Sequence, residues 1–357
     1  ILHVDEFIRI LCLALVETWV ALWDTFHGTR EGILAQIKQI PRRVAICSVL
    51  RDWCTLSARI DMARGLPVIH VNFLGYDEQS HRRGPHSRYA HWTLTGIDAC
   101  IRKLCRSARR GDGHPYRVWI YSDHGQESAI PYHEISRRSL DQAVHDVFGN
   151  HGVVQPSTVK RGIQTERASL LQPKGVHKHL GNATVLNDGI KMAAKGPVCH
   201  IYLPAPLTES KRHEAASALC GENHVPMVAA PDGATGIVVW TKKGQYRLPE
   251  DGAELLGDSH PFLSEVTDDL IKLVHHPNAG DMVLFGYVVS ETTHVTFANE
   301  YGAHAGPGAN ETHGFILAPP HAVNQVSGQR YLRPASLRAL ILQTIQGTTD
   351  RSIEVDA

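Results

Sequence analysis

Three short stretches of this chain carry acids and histidines at spacings that suit metal-assisted chemistry. In "LGYDEQSHRRGP", Asp77 and His81 stand four residues apart, ahead of a Gly84–Pro85 stop. "YSDHGQE" sets Asp123 beside His124, with Gly125 directly behind. Far along the chain, "YGAHAGPGANETHGF" holds His304 and His313 in a glycine-rich loop. Carboxylate oxygen and neutral imidazole nitrogen are the donors that zinc and similar divalent ions accept, three or four to an ion. Taken singly, each stretch has a plainer use: an acid and a histidine around a turn, or S-D-x-G in a tight bend. Arriving together they point to ligands.

The elements that must bring them together can be read from the pattern. "LPVIHVNFL" (66–74) is a β-branched and aromatic run suited to a central strand covered on both faces. Tyr89, Trp92, Thr93, Gly96, Ile97, Cys100, Ile101 and Leu104 recur at helical steps, which predicts a helix. "RRGDGHP" breaks it, and "YRVWIYSDHG" reads as a second buried strand with Asp123 at its end. That is a β-α-β unit with a right-handed crossover, and ligands gather at the carboxyl ends of parallel strands. Upstream, residues 1–65 read as helical; Val44, Cys47, Leu50, Cys54 and Ile60 fall near one face, and Gly65 takes the C-cap position. Residues 66–195 form a core α/β portion whose later half, 132–195, is a polar excursion. "GPVCHIYLP" and "GIVVWTKKGQYRLP", with a helix over Glu209–Leu219, mark a small inserted α/β module at 196–250. Residues 251–357 return to the core through "GDMVLFGYVV", the His304 loop and "GFILAPP".

Composition narrows the function classes. The 357 residues carry 36 basic and 36 acidic side chains, so no net field argues for nucleic acid or an anionic membrane. Histidine stands out at 23 copies, in keeping with a metal site. Seven cysteines without a CxxC pair argue against a disulfide framework and a zinc knuckle, and favour a reducing, cytoplasmic compartment. Phe7 to Trp23 is apolar but short for a bilayer span, and it contains Arg9 and Glu17. A buried or interfacial helix is the reading there, with membrane contact not favoured.

In order and spacing, the three patches resemble the metal-binding motifs of the alkaline phosphatase superfamily, closest to its type I phosphodiesterase/nucleotide pyrophosphatase branch. There a D-x-x-G-H-x-x-G-P motif follows a strand, S-D-H-G follows a later strand, and a G-x-H-G loop comes near the end. This chain has Ser80 and Ala305 where that branch has glycine, and neither change removes a donor atom. The resemblance covers roughly residues 66 to 318. It implies a three-layer α/β/α sandwich with a mostly parallel central sheet, and two divalent ions, zinc or else manganese or another divalent metal. By the same resemblance Asp77, His81 and His304 would hold one ion, and Asp123 with His124 part of the second; His304 fits the G-x-H pattern better than His313. The activity implied is hydrolysis of a small-molecule phosphoric ester, with the ions clamping the attacking and leaving oxygens of an in-line displacement.

The branch also uses an Asp after its first strand and a Thr or Ser nucleophile opening a helix. Asp5 in "VDEF" and Asp24–Thr25 in "WDTF" sit in helix-like or terminal surroundings. The nucleophile is therefore expected to be absent from this chain, as though it were a C-terminal portion. Around the motifs, Arg82 and Arg83 offer guanidinium forks to phosphate oxygens or pair with surface acids. His313, Gln126 and Glu127 are candidates for supporting or substrate-facing positions. His86, His91, His133, His177 and His179 read as surface or core residues, Cys199 as packing, and Asp98 as the helical partner of Arg102. A phosphomutase is a sibling reading, and a non-catalytic metal-binding or interaction protein of the same fold is the rival from another class. A sulfatase lacks its C/S-x-P-x-R motif here.

Overall fold

A computed structural model describes residues 49–110, 116–150, 183–185, 189–289, 293–320 and 328–353, with single positions elsewhere. Asp5, Asp24–Thr25, His177, His179 and most of the 7–23 segment lie outside the described residues. Among those described, no helix is long and apolar enough to cross a membrane.

The chain is a mixed α/β protein. Its largest sheet has seven strands in the order β3-β4-β5-β9-β6-β7-β8. These are β3 (Ala183–Val185), β4 (Lys191–Lys195), β5 (Val198–Tyr202), β6 (Met227–Asp232), β7 (Gly236–Thr241), β8 (Gly244–Leu248) and β9 (Met282–Phe285). Every pairing in it is antiparallel. Among the described residues, the mostly parallel central sheet that the resemblance implies is not seen. Near-continuous apolar runs report that both faces are covered, not the direction of the neighbours. Val228, Ala230, Val238 and Trp240 pack with Phe148 and Leu219 on one face. Met227, Ala229, Ile237 and Val239 pack with Leu255, Val266 and Leu270 on the other. The helices supplying those partners are Leu140–Asn150, Glu209–Gly221, Gly252–Leu256 and Leu263–Val274. The Glu209 helix starts where Thr208 accepts a hydrogen bond from Lys211 N at 3.4 Å, as an N-cap hydroxyl should. The run at 236–249 is a hairpin rather than one strand, turned at Lys242–Lys243 with Gly244 at φ +148°.

The site is built beside this sheet. α1 (Arg51–Ala63), α2 (Gly75–Arg83) and α3 (Arg88–Arg110) precede a small three-stranded sheet. In it β2 (Glu127–Pro131) lies between β10 (Thr293–Thr296), its parallel neighbour, and β11 (Gly302–Ala303), its antiparallel one. β1 (Ile120–Tyr121) pairs with β12 (Ile316–Leu317). The helix predicted after the first motif is present as α3, burying Ala90, Thr93, Cys100, Leu104 and Ala108 at helical steps. Arg102 pairs with Asp98 on its exposed face. α1 packs on α3 through Arg51, Thr55 and Ala58; of the residues read as sharing one face, Leu50 and Ile60 are exposed, and Val44 and Cys47 lie outside the described residues.

The strand expected at 66–74 does not form. That segment has no ladder partner among the described residues, none of its residues is buried, and Val68 is 55% exposed. A strand exists only where neighbouring backbone satisfies its amides and carbonyls, and among the described residues none is offered here.

Candidate metal centre

Asp77 and His81 are delivered by α2, which runs acid-first and base-last: Asp77 and Glu78 in its first turn, His81, Arg82 and Arg83 in its last. That order suits the helix dipole. The four-residue spacing stacks the two side chains on one face. Gly84, at φ +85°, ends the helix, with its N–H bonded to Ser80 O at 2.8 Å.

His81 is 95% buried, and its Nδ1 lies 2.8 Å from Gly302 O. A carbonyl only accepts, so Nδ1 carries the hydrogen. Glu300 Oε2 is 2.9 Å from the same nitrogen. The opposite nitrogen, Nε2, meets Asp77 Oδ1 at 3.1 Å, an ion-pair contact without hydrogen-bond alignment. Burial works to lower the His81 pKa, but its contacts with Asp77 and Glu300 outweigh it and raise the value to about 9, so an ion that takes this ring as a ligand must displace the Nε2 proton.

His124 is presented by the loop between β1 and β2. Its Nδ1 lies 2.8 Å from Gly125 O, so the same tautomer argument leaves Nε2 as the open donor. Ser122 stitches this loop to Phe315 through Ser122 N to Phe315 O at 3.1 Å and Phe315 N to Ser122 Oγ at 3.0 Å. Gly125 is required by close approach, because a Cβ there falls 1.9 Å from Asn310 O and 2.7 Å from His313 O.

His304 enters from the glycine-rich loop. Its ring stacks on His124 with centroids 3.6 Å apart and tilts against His81 at 4.9 Å. Nε2 stands 3.8 Å from Asp77 Oδ1. Burial, then the neighbouring His124 and His81, press its pKa down to about 4, so at neutral pH its lone pair is available to a cation.

Two buried glutamates hold this loop in place. Glu311 accepts from Gly306 N at 2.7 Å and Gly308 N at 2.8 Å. Glu127 accepts from Asn310 N at 2.7 Å and Asn310 Nδ2 at 2.8 Å. Burial drives the Glu311 carboxyl up to about 7, against its two backbone donors and with the Glu127 charge adding to the rise.

Donor atoms of Asp77, His124 and His304 lie within 4.8 Å of one another. A tetrahedral zinc with bonds near 2.0–2.1 Å wants its donors about 3.4 Å apart. The 3.8 Å between Asp77 and His304 is close to that spacing. One carboxylate and two imidazoles make a donor set that fits a zinc-like ion, and the second nitrogen of His124 is already engaged by Gly125 O. Gln126 adds a hydrogen bond from Nε2 to Asp77 Oδ1 at 2.9 Å.

The sequence-predicted residues are distributed unevenly around this centre. Asp77, His81, His124, His304 and Gln126 converge. Asp123 sits against His124, Oδ2 to Nε2 at 3.5 Å, but its side chain is 78% exposed and it stays outside the close triad. The clustering also joins His124 to Asp77 and His304, whereas the motifs alone pair His124 with Asp123. Glu127 clamps the loop instead of facing the cleft, and His313 is exposed with its ring against Phe262 at 5.6 Å. Arg82 and Arg83 end α2, partly buried. Glu300 and Glu311 were not singled out from sequence. No local spacing signals Glu300, because its partner is His81 far back in the chain rather than the neighbouring His304.

A mixed α/β protein with a convergent carboxylate–imidazole cluster is the class that fold and geometry define. The chain matches the type I phosphodiesterase / nucleotide pyrophosphatase family over residues 21–251, more than half its length. It belongs to that family, and so to the alkaline phosphatase superfamily. The matched span contains Asp77, His81, Asp123 and His124 and ends before His304. No curated protein matches the chain.

Proposed function

We propose that this chain is a metal-dependent phosphoric ester hydrolase of phosphodiesterase type, acting on small-molecule phosphate esters with two divalent ions, zinc in the first instance. The observation that carries the reading is the convergence of Asp77, His124 and His304 from three distant stretches of a member of this family. Asp77, His81 and His304 are assigned to one ion, and His124 with Asp123 to the second. Bound ions supply charge neutralisation for the phosphoryl oxygens and lower the pKa of the attacking hydroxyl or water. The protein's own part is to present these donors in fixed tautomers. Glycyl carbonyls do this for His81 and His124, and a hydrogen bond from Gln126 orients the Asp77 carboxylate. The nucleophile is left unassigned.

Hydrolysis of bis-p-nitrophenyl phosphate and of the monoester, with added zinc or manganese, tests the reading. Diester turnover that disappears in Asp77→Ala and in Asp123→Ala supports it. A metal-replete chain that turns over neither ester overturns it and favours a non-catalytic metal-binding protein.

A further inference from the structure

Glu300 lies on the side of His81 away from the cleft, and nothing in the motifs accounts for it. Its side chain is 13% exposed, so the carboxylate sits largely out of water. Both oxygens are occupied. Oε2 stands 2.9 Å from His81 Nδ1, and Oε1 accepts from Thr296 Oγ1 at 3.0 Å. Thr296 is fully buried at the end of β10, and its hydroxyl also accepts from Ala298 N at 3.2 Å. The result is a continuous line of polar contacts from β10 through Thr296, Glu300 and His81 to Asp77 Oδ1, with separations of 3.0, 2.9 and 3.1 Å.

We propose that Glu300 is a positioning residue for the metal centre: anchored by Thr296, its carboxylate grips His81 Nδ1–H and so aims Nε2 of that ring at the ion beside Asp77. This rests on the reading of His81 as a ligand. A carboxylate behind a ligating imidazole fixes the ring's orientation and tautomer and raises the basicity of the far nitrogen, and losing one typically weakens metal binding 10–100-fold. Gly302 O alone accepts from the same nitrogen, but a neutral carbonyl lacks the charge that strengthens the interaction. Glu300 acts on the ion only through His81, which separates it from the ligands.

Zinc affinity, measured by chelator competition on the whole chain, tests this without reference to turnover. Glu300→Ala is expected to weaken zinc about 10–100-fold. Glu300→Gln, which keeps a neutral acceptor for Nδ1–H but removes the charge, should recover only part of that loss. Thr296→Val, which removes the anchor while keeping the shape, should give a smaller loss in the same direction. Placed on a His81→Ala background, Glu300→Ala should have no further effect. If Glu300→Ala fails to fold, the Gln and Val variants carry the comparison. Wild-type affinity in Glu300→Ala, or an equal loss with and without His81, overturns the proposal. A wild-type chain that binds no zinc overturns both this and the hydrolase reading. One that binds zinc but cleaves no ester overturns the hydrolase alone and leaves the Glu300 result standing on its own.

Discussion

Gly302→Ala should loosen the metal centre from behind, by a cost that follows from the backbone. A Cβ at 302 falls 2.3 Å from Ser80 O, 2.9 Å from Ser80 C and 3.1 Å from Pro85 Cδ. The first of these is about 1 Å inside ordinary contact, and none of the three is the tip of a flexible side chain. β11 and α2 must therefore separate by about that amount. Two hydrogen bonds span the gap, Tyr301 N to His81 O at 2.7 Å and His81 Nδ1 to Gly302 O at 2.8 Å. Lengthening both removes about 1 kcal/mol each, and overpacking adds about 1–3 kcal/mol. The sum is a loss of roughly 3–5 kcal/mol in unfolding free energy, with zinc affinity falling because His81 loses its backing. Urea unfolding of the two proteins at unchanged slope gives the first number, and chelator competition gives the second. A variant within 0.5 kcal/mol of wild type, roughly the scatter of a surface substitution, would refute the packing argument.

The remaining predictions concern the loops that carry the other ligands. Gly125→Ala meets the Asn310 and His313 carbonyls, so it should displace His124 and lower zinc affinity at least as far as Gly302→Ala. Ala305 holds φ +87°, a conformation glycine adopts without strain. Ala305→Gly should therefore raise the thermal midpoint, by an amount equivalent to about 1 kcal/mol. Glu311 binds its proton more tightly folded, at about 7 against the ordinary 4.5 of a glutamate. Between those pH values the native state holds a proton that the unfolded chain has released. Stability contributed by this group is thus full below the unfolded value and is lost as pH rises to about 7, by on the order of 3 kcal/mol. Urea midpoints across pH 4.5–8 should show that decline, and Glu311→Gln should flatten it; a profile unchanged by the substitution would contradict the burial argument.

What was legible in the sequence was whatever is set locally. The α3 helix follows from apolar residues at three- and four-residue steps, and the Asp77–His81 contact from an i, i+4 spacing on α2. The Gly84 stop likewise needs only its own neighbours. Direction of pairing was not legible, because β6 and β7 bury both faces in an antiparallel sheet as fully as a parallel one would. Nor was the fate of 66–74, whose composition suits a strand but which has no ladder partner among the described residues. Within the site, the three motifs marked Asp77, His81, His124 and His304. They missed Glu300 and Glu311, because an acid's role as clamp depends on what the fold sets against it. His81 and Gly302 meet across 221 positions of chain.

The most direct test of the whole account is where zinc binds. Anomalous diffraction at the zinc edge, from crystals of the full chain soaked in zinc, should place peaks in the cleft bounded by the side chains of Asp77, His124 and His304, and Asp77→Ala should abolish the one beside His81 and His304. Peaks confined to other histidines, or an unchanged peak beside His81 and His304 without Asp77, would contradict the account.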